Sequence, residues 1–418
     1  MKLYLSLCLL FLSSMVQAQQ PDTLLLKQLL NTHPELFGRV LAHPQQNEVQ
    51  ILYTQINRDK RNYPSFQSYS YRLNTNRYFY PASTVKLPTL IFALEKLNRL
   101  KGRGINMNTT MLTDSAFARQ TKVTADTSAK NGKPSIEQYI KKILLVSDND
   151  AYNRLYEFTG RWEINSKLKK YGLNHTRIIG RLAVGDGGEA AKHTNPIDFY
   201  DRSGKLIYHQ PEQYDVDEYP MLLDYLKQGK GYLNGKDSLI MQPYDFSDKN
   251  VFPLADQQQV LKRLFFPEAF VPEQRFDLTE DQYQFIYRYM SMYPTESRKP
   301  TYTVPKWHAT SEKFLFYGAD TAAVPDPDIR IFNKIGDSYG YMIDNAYIAD
   351  FKNNVEFMLT VVIQSNDDGI YNDNKYEYAT VCLPFLKGLG QLIYDYELQR
   401  QKAHLPNLKK LKFNYQIK

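Results

Sequence analysis

The chain has 418 residues, 43% hydrophobic and 23% charged, with 52 Lys and Arg against 45 Asp and Glu for a net charge of +7. That length supports one elaborate domain or two ordinary ones, and so mild a charge, densest at Lys409-Lys410-Leu411-Lys412, reads as a solvated tail rather than a nucleic-acid-binding stripe. Two cysteines exclude a disulfide-built scaffold, and no stretch past the first twenty residues reaches the roughly eighteen apolar residues of a membrane helix, so no stable membrane insertion is expected.

The first twenty residues carry Lys2, an apolar run from Leu3 to Leu12, and then Val16-Gln17-Ala18. This is the pattern of a signal peptide, 1–18, cleaved near Ala18, and it predicts a periplasmic or secreted protein. A lipid anchor on Cys8 is the rival reading, but too few residues precede that cysteine for a full apolar segment. Cleavage would leave Cys382 as a lone thiol, so stability must come from burial.

From 23 to 40 the leucines at 24, 25, 26, 29 and 30, with Leu36 and Phe37, predict a helix that Pro34 breaks. Residues 48–56 and 65–73 alternate as two strands around a polar turn. Helical spacing follows at 84–100, 136–146, 149–159 and 164–170, whereas 201–300 is irregular apart from 257–266 and 280–292. Strand character returns at 329–334, 339–350 and 355–364, with turns at Gly336-Asp337-Ser338 and Asn353-Asn354, and a last helix spans 376–400.

The expected fold is therefore α+β: a five-stranded antiparallel sheet flanked by terminal helices, with an inserted helical lobe. Following the signal peptide, residues 19–418 read as one catalytic domain, the sheet part about 23–80 and 325–400 and the lobe about 81–324. The thirty-three tyrosines are scattered rather than clustered, which favours ordinary packing over sugar or base stacking. Histidines 33, 43, 175, 193, 209, 308 and 404 show no metal-ligand spacing, so neither metal nor cofactor is expected.

Pro81-Ala82-Ser83-Thr84-Val85-Lys86 sits where an aromatic stretch meets the helical run of Leu87, Leu90, Ile91, Leu94 and Leu97. Positions three apart share a helix face, so Ser83 Oγ and Lys86 Nζ can approach each other. A lysine desolvated among leucines holds its proton weakly and can activate a hydroxyl. Ser-x-x-Lys alone is weak: roughly one or two are expected by chance in a chain this long, and Ser166-Lys167-Leu168-Lys169 is a second instance. Ser147-Asp148-Asn149, between two predicted helices, has a chance expectation on the order of 0.1. Phe332-Asn333-Lys334-Ile335-Gly336 then ends a late strand.

Ser-x-x-Lys, Ser-Asp-Asn and Lys-x-Gly, in this order and context, resemble the class A β-lactamase family of penicillin-recognising serine hydrolases. The resemblance covers most of the chain but leaves 201–300 unexplained. It implies an active site between sheet and lobe and acyl transfer through a Ser83 ester, with a small-molecule or peptide-like acyl substrate and water as final acceptor. Lys86 would be the base or orient one, Ser147 would relay a proton to the leaving nitrogen, and Asn149 would hold Lys86 or the substrate amide. Lys334 would supply positive charge at the far wall, Gly336 would permit close approach, and the N–H groups of Ser83 and Asp337 would form the oxyanion hole.

Two departures qualify the resemblance. The family's water-activating glutamate has no ungapped counterpart in 177–196, where Glu189 and Asp186 are the only carboxylates and Glu189 is the candidate. Ile335 replaces a hydroxyl residue, and Asp337 adds negative charge where the acid group of a penicillin would lie, which favours a neutral or cationic substrate. A cell-wall peptidase or esterase, or a binding module for peptidoglycan or a protein, stand as alternatives to a β-lactam hydrolase.

Overall fold

The computed structural model describes residues 22–117, 120–185 and 188–415. The expected signal peptide and Asp186 lie outside the described residues. Two short helices open the chain, α1 (Leu24–Asn31) and α2 (Pro34–Ala42). Pro34 stands at the first turn of α2, where its missing N–H costs nothing, so the predicted break is a helix start. Strands β1 (Gln50–Arg58) and β2 (Pro64–Tyr71) form an antiparallel hairpin.

The middle of the chain supplies α3 (Lys86–Leu100), α4 (Ile136–Val146), α5 (Asn149–Thr159), α6 (Arg161–Lys170), α7 (Leu254–Phe265) and α8 (Glu280–Ser291). Three long strands, β3 (Ile329–Ser338), β4 (Tyr341–Asp350) and β5 (Val355–Gln364), complete the sheet, and α9 (Leu383–Gln399) follows a single π-helical turn at Tyr378–Cys382. The sheet order is β3-β4-β5-β1-β2, antiparallel throughout, so the early hairpin docks on the late strands through β1 and β5. This is the α+β arrangement expected from the sequence.

Strand alternation divides the sheet into two buried faces. Ile331, Ile335, Ala346, Ile348, Phe357 and Leu359 pack with Leu26, Leu30, Phe37, Phe385 and Leu389 of the terminal helices. Phe332, Tyr347 and Met358 face the lobe, where they join a core with Leu90, Ile91, Ile140, Leu155, Leu261 and Ile286. From Lys86 to Leu97 every residue of α3 is buried, which makes it the axis of the lobe.

Two expectations are corrected. The predicted turn at Gly336-Asp337-Ser338 is strand, paired residue by residue with Ile343, Met342 and Tyr341. The reversal falls at Tyr339-Gly340, both left-handed (φ 55° and 79°), as a two-residue hairpin of matching twist requires. The stretch 201–300 is also less foreign to the fold than its composition implied. Its helix α7 lies on the sheet, where Gln258 accepts from Thr54 Oγ1 (2.6 Å) and donates to Leu52 O (3.0 Å) and Thr360 Oγ1 (3.1 Å). Its short strands, from Leu206–Gln210 to Tyr244–Asp245, form small sheets of their own, such as Leu206–Gln210 paired with Ile197–Tyr200 and Tyr244–Asp245 with Lys227–Gln228.

Candidate active site

Ser83 lies in a 3-10 turn, Ala82–Val85, that runs directly into α3, so its hydroxyl stands one turn before the helix rather than on it. Ala82 just before it is held at φ 46°, a left-handed conformation that a residue with a Cβ adopts only under constraint. The constraint is visible on β3: a Cβ built on Gly336 would lie 2.9 Å from both Pro81 O and Ser83 N. Glycine at 336 thus lets the strand press against the turn carrying Ser83. Among the described residues Ser83 makes no side-chain hydrogen bond, and it is half-buried.

Lys86, one turn further, is fully buried. Its Nζ donates to Ser147 O (2.5 Å) and Asn149 Oδ1 (2.6 Å) and lies 3.3 Å from Ser147 Oγ. The link between α4 and α5 makes this possible. Ser147 caps α4 in a left-handed conformation (φ 55°), and Asp148 caps α5 by accepting from Ala151 N (2.8 Å). The capping and functional readings of Ser147-Asp148-Asn149 therefore coexist: Asp148 holds the helix start, while its two neighbours turn to Lys86.

From the opposite wall, Lys334 Nζ donates to Ser147 Oγ (2.7 Å) and to Ile335 O (2.9 Å). Alternation along β3 sends Lys334 toward the lobe and Ile335 into the core with the terminal helices, so the strand offers no hydroxyl at 335. Asp337 is exposed at the strand end, within electrostatic reach of both lysines.

Burial pushes the Lys86 ammonium well below the usual lysine range, and repulsion from Lys334 pushes the same way, against the pull of Glu312, Asp148 and Asp337. Lys334 is lowered by burial as well, with Glu312, Asp337 and Asp344 opposing. Glu312 carries no signal in the sequence. It lies in 301–328, a stretch with neither helical nor alternating periodicity, and nothing local marks it. Burial raises its carboxyl to about 7, with Lys334 the leading opposing charge.

The structure brings Ser83, Lys86, Ser147, Asn149, Lys334, Gly336 and Asp337 to one cleft. Glu189 is itself exposed at the start of a single helical turn, Glu189–Lys192, with its carboxylate 4.0 Å from Lys192 Nζ and 3.6 Å from His193 Nε2. The loop before that turn is tied down by a buried ion cluster. Glu157 of α5 meets Arg181 (3.3 Å), Asn195 (3.2 Å) and Arg154 (3.4 Å), and Arg181 in turn donates to Ala190 O and His193 O.

Aromatic rings cluster around Tyr339, just past Asp337 in the chain. Tyr80 stands 4.8 Å, centroid to centroid, from Tyr339, and Tyr244 and Phe246 of the 201–300 segment lie 5.4 and 5.3 Å from Tyr339. Arg161 of α6 is paired with Asp215 (3.0 Å), which anchors the 201–300 segment to that helix.

Residues 38–231 match the family model described as beta-lactamase enzyme family, a span that contains Ser83, Lys86, Ser147 and Asn149 but not Lys334. The chain is similar to the solved structure of PBP-A, at 16% identity over 90% of this chain and 98% of that one (TM-score 0.46). It is also similar to an ancestral (GNCA) class A β-lactamase, at 14% identity over 88% and 100% (TM-score 0.47). A third likeness is to a β-lactamase from Sphaerobacter thermophilus, at 12% identity over 87% and 97% (TM-score 0.44). No curated protein matches the chain.

Proposed function

We propose, from the premise that this chain is β-lactamase/transpeptidase-like, that it is an exported serine hydrolase which transfers an acyl group from an amide to Ser83 and then to water. The observation that carries this reading is the convergence of Lys86 Nζ and Lys334 Nζ on Ser147 Oγ beside the turn that holds Ser83.

Lys86 is the base. Its two N–H bonds are taken by Ser147 O and Asn149 Oδ1, which leaves the lone pair of the free amine to accept the Ser83 proton. Attack forms the Oγ–carbonyl bond and places negative charge on the carbonyl oxygen. By resemblance, the N–H groups of Ser83 and Asp337 receive that charge. The Lys86 proton passes through Ser147, whose oxygen accepts from Lys334, to the leaving nitrogen as the C–N bond breaks. Water then attacks the Ser83 ester and restores the free hydroxyl.

A second reading, in which the acyl-enzyme persists as in a cell-wall peptidase or a binding module, is favoured by the exposure of Glu189, whose carboxylate is engaged with Lys192 and His193. The leader at 1–18 supports export to the periplasm or medium.

Incubation with a labelled penicillin and, separately, a serine-directed phosphonate, followed by intact mass and peptide mapping, tests the proposal. An adduct on Ser83 that decays with time supports hydrolysis, a persistent one supports the second reading, and no adduct with either reagent overturns the assignment of Ser83.

A further inference from the structure

We propose that the cavity walled by Arg161 and Arg177 binds a carboxylate at the far end of the substrate's acyl arm, so that the chain selects acyl donors with a terminal acid. The inference deepens the reading of Ser83 as nucleophile and rests on it. It also gives the 201–300 segment a role, since that segment supplies one wall of the cavity.

Two chambers adjoin. The inner one, about 230 Å³, is lined by Arg161, Arg177, Lys192 and Tyr219, and the outer one, about 150 Å³, by Tyr80, Gly180, Asn250 and Tyr339. Ile179, Ala191 and Asp248 belong to the walls of both. Tyr80 stands three residues before Ser83, which bounds the distance between their Cα atoms to about 11 Å. Tyr339 follows Asp337 by two residues, and its ring meets that of Tyr80 at 4.8 Å. Along β3 the order is Lys334, bonded to the Ser147 that serves the leaving nitrogen, then Gly336 against the Ser83 turn, then Asp337 and, just past the strand, Tyr339. The outer chamber is therefore on the acyl side of the nucleophile.

The backbone of Arg177 pairs with that of Val251, N to O at 3.0 Å and O from N at 2.9 Å, and Asn250 Oδ1 accepts from Ile179 N (2.8 Å) and Gly180 N (3.1 Å). These bonds fix the loop after α6 to the 201–300 segment. The Arg177 guanidinium is buried and donates only to the carbonyls of Tyr219 (2.7 Å), Lys249 (3.3 Å) and Ser247. Among the described residues no carboxylate pairs with it. Arg161, also buried, bonds through Nη1 alone, to Asp215 Oδ2 (3.0 Å), Asp215 O (3.3 Å) and Asp217 O (2.8 Å), while its Nε is buried without an acceptor among the described residues. Both guanidinium groups hold Tyr219, Arg177 by its carbonyl and Arg161 over its ring (4.7 Å), so they are neighbours.

Charge decides the ligand. Asp215 offsets Arg161, Lys192 offsets Glu218 (2.6 Å) and Lys249 offsets Asp248 (3.3 Å), which leaves Arg177 uncompensated among the described residues. A cation held out of water without an anion is costly, and a guanidinium fork matches the two oxygens of a carboxylate. Of the five N–H groups of an arginine, Arg177 uses three on carbonyls, so two are left for a ligand. A monoanion balances one cation, whereas a phosphate dianion would add excess charge beside Glu218 and Asp248. Asp337 opposes an acid group beside the reacting carbonyl, so the two features together select by position.

The test uses N-succinyl di- and trialanine amides as probes, with their neutral N-succinamyl counterparts. Calorimetry on the full chain carrying Ser83→Ala, which removes turnover, should show the carboxylate probes binding about tenfold tighter or more. Arg177→Gln in that background should remove the preference, and Arg177→Lys should keep part of it. Equal affinity of the two probe sets for Ser83→Ala overturns the proposal, and this comparison needs no change in the arginines. A phosphonoacetyl-capped probe that binds tighter than the succinyl one overturns the carboxylate as ligand. In the wild type the succinyl probe should slow phosphonate labelling of Ser83 at concentrations where the succinamyl probe does not, and selective binding that leaves labelling unchanged overturns the placement on the acyl arm. Absence of any labelling alongside intact selective binding would retire the nucleophile and leave the carboxylate site standing, so the two failures are distinguishable.

Discussion

Lys334 Nζ lies 2.7 Å from Ser147 Oγ, joining a strand near the C-terminus to the cap of a mid-chain helix across 187 residues of sequence. That hydroxyl is also within 3.3 Å of Lys86 Nζ, so one oxygen bridges two lysine amines held by separate layers of the fold.

Lys86 is the residue whose loss should cost most. Lys86→Met and Lys86→Arg, the second retaining charge but unable to give up its proton, should each slow phosphonate labelling of Ser83 by about 10²–10⁴-fold. In the wild type the labelling rate should rise with pH as Lys86 loses its proton, and fall at higher pH as Lys334 loses the charge that faces Ser147. Equal rates for wild type and Lys86→Met would remove Lys86 from the chemistry.

Gly336→Ala tests the contact between β3 and the Ser83 turn. The added methyl meets the backbone at 2.9 Å on two atoms, neither at the end of a flexible side chain, so the turn must move. Labelling should drop by about 10²-fold, since a displacement of about 1 Å misaligns the nucleophile, while far-ultraviolet circular dichroism stays unchanged.

Asp337 places a negative charge at the exposed end of β3. Asp337→Asn or Asp337→Ser should raise the second-order rate of penicillin acylation by about tenfold, the effect of removing roughly 1.4 kcal/mol of like-charge repulsion. Unchanged acylation would show that the carboxylate does not face the acid group of the ligand.

Glu157→Gln tests the tie on the loop before Glu189. Two arginines and Asn195 lose the charge they surround in a buried cluster, and unfolding by urea should show a loss of about 3 kcal/mol. Proteolysis within 177–196 should quicken in parallel. A stability change below about 0.5 kcal/mol would mean the arginines satisfy themselves elsewhere.

Stability should also depend on pH through Lys96. Burial lowers this ammonium to about 8, although it donates to Phe158 O and Thr159 O. The folded chain therefore binds fewer protons than the unfolded one between about 8 and the free-lysine value of about 10.4, and stability should climb with pH across that window. The urea midpoint should rise between about pH 8 and 9.5, and Lys96→Met should flatten the rise.

The periodicities of the sequence determined the elements. Helices 136–146 and 149–159 and the strand 355–364 fall at the predicted bounds, because apolar spacing and capping residues are local signals. The three motifs determined which side chains to look for, since Ser83, Lys86, Ser147, Asn149, Lys334 and Gly336 each sit in a short recognisable pattern. Position in space was decided by tertiary structure alone. Ser166 and Lys169 share the spacing of Ser83 and Lys86, yet Lys169 is exposed on α6 while Lys86 is buried on α3, because burial depends on which face of a helix the rest of the chain covers. Glu189, in the segment where a carboxylate is sought, is exposed, whereas Glu312, in a stretch without periodicity, is buried within electrostatic reach of both cleft lysines. Spacing along a chain encodes local geometry, but the electrostatics of a buried site come from residues distant in sequence that only the packed fold brings together.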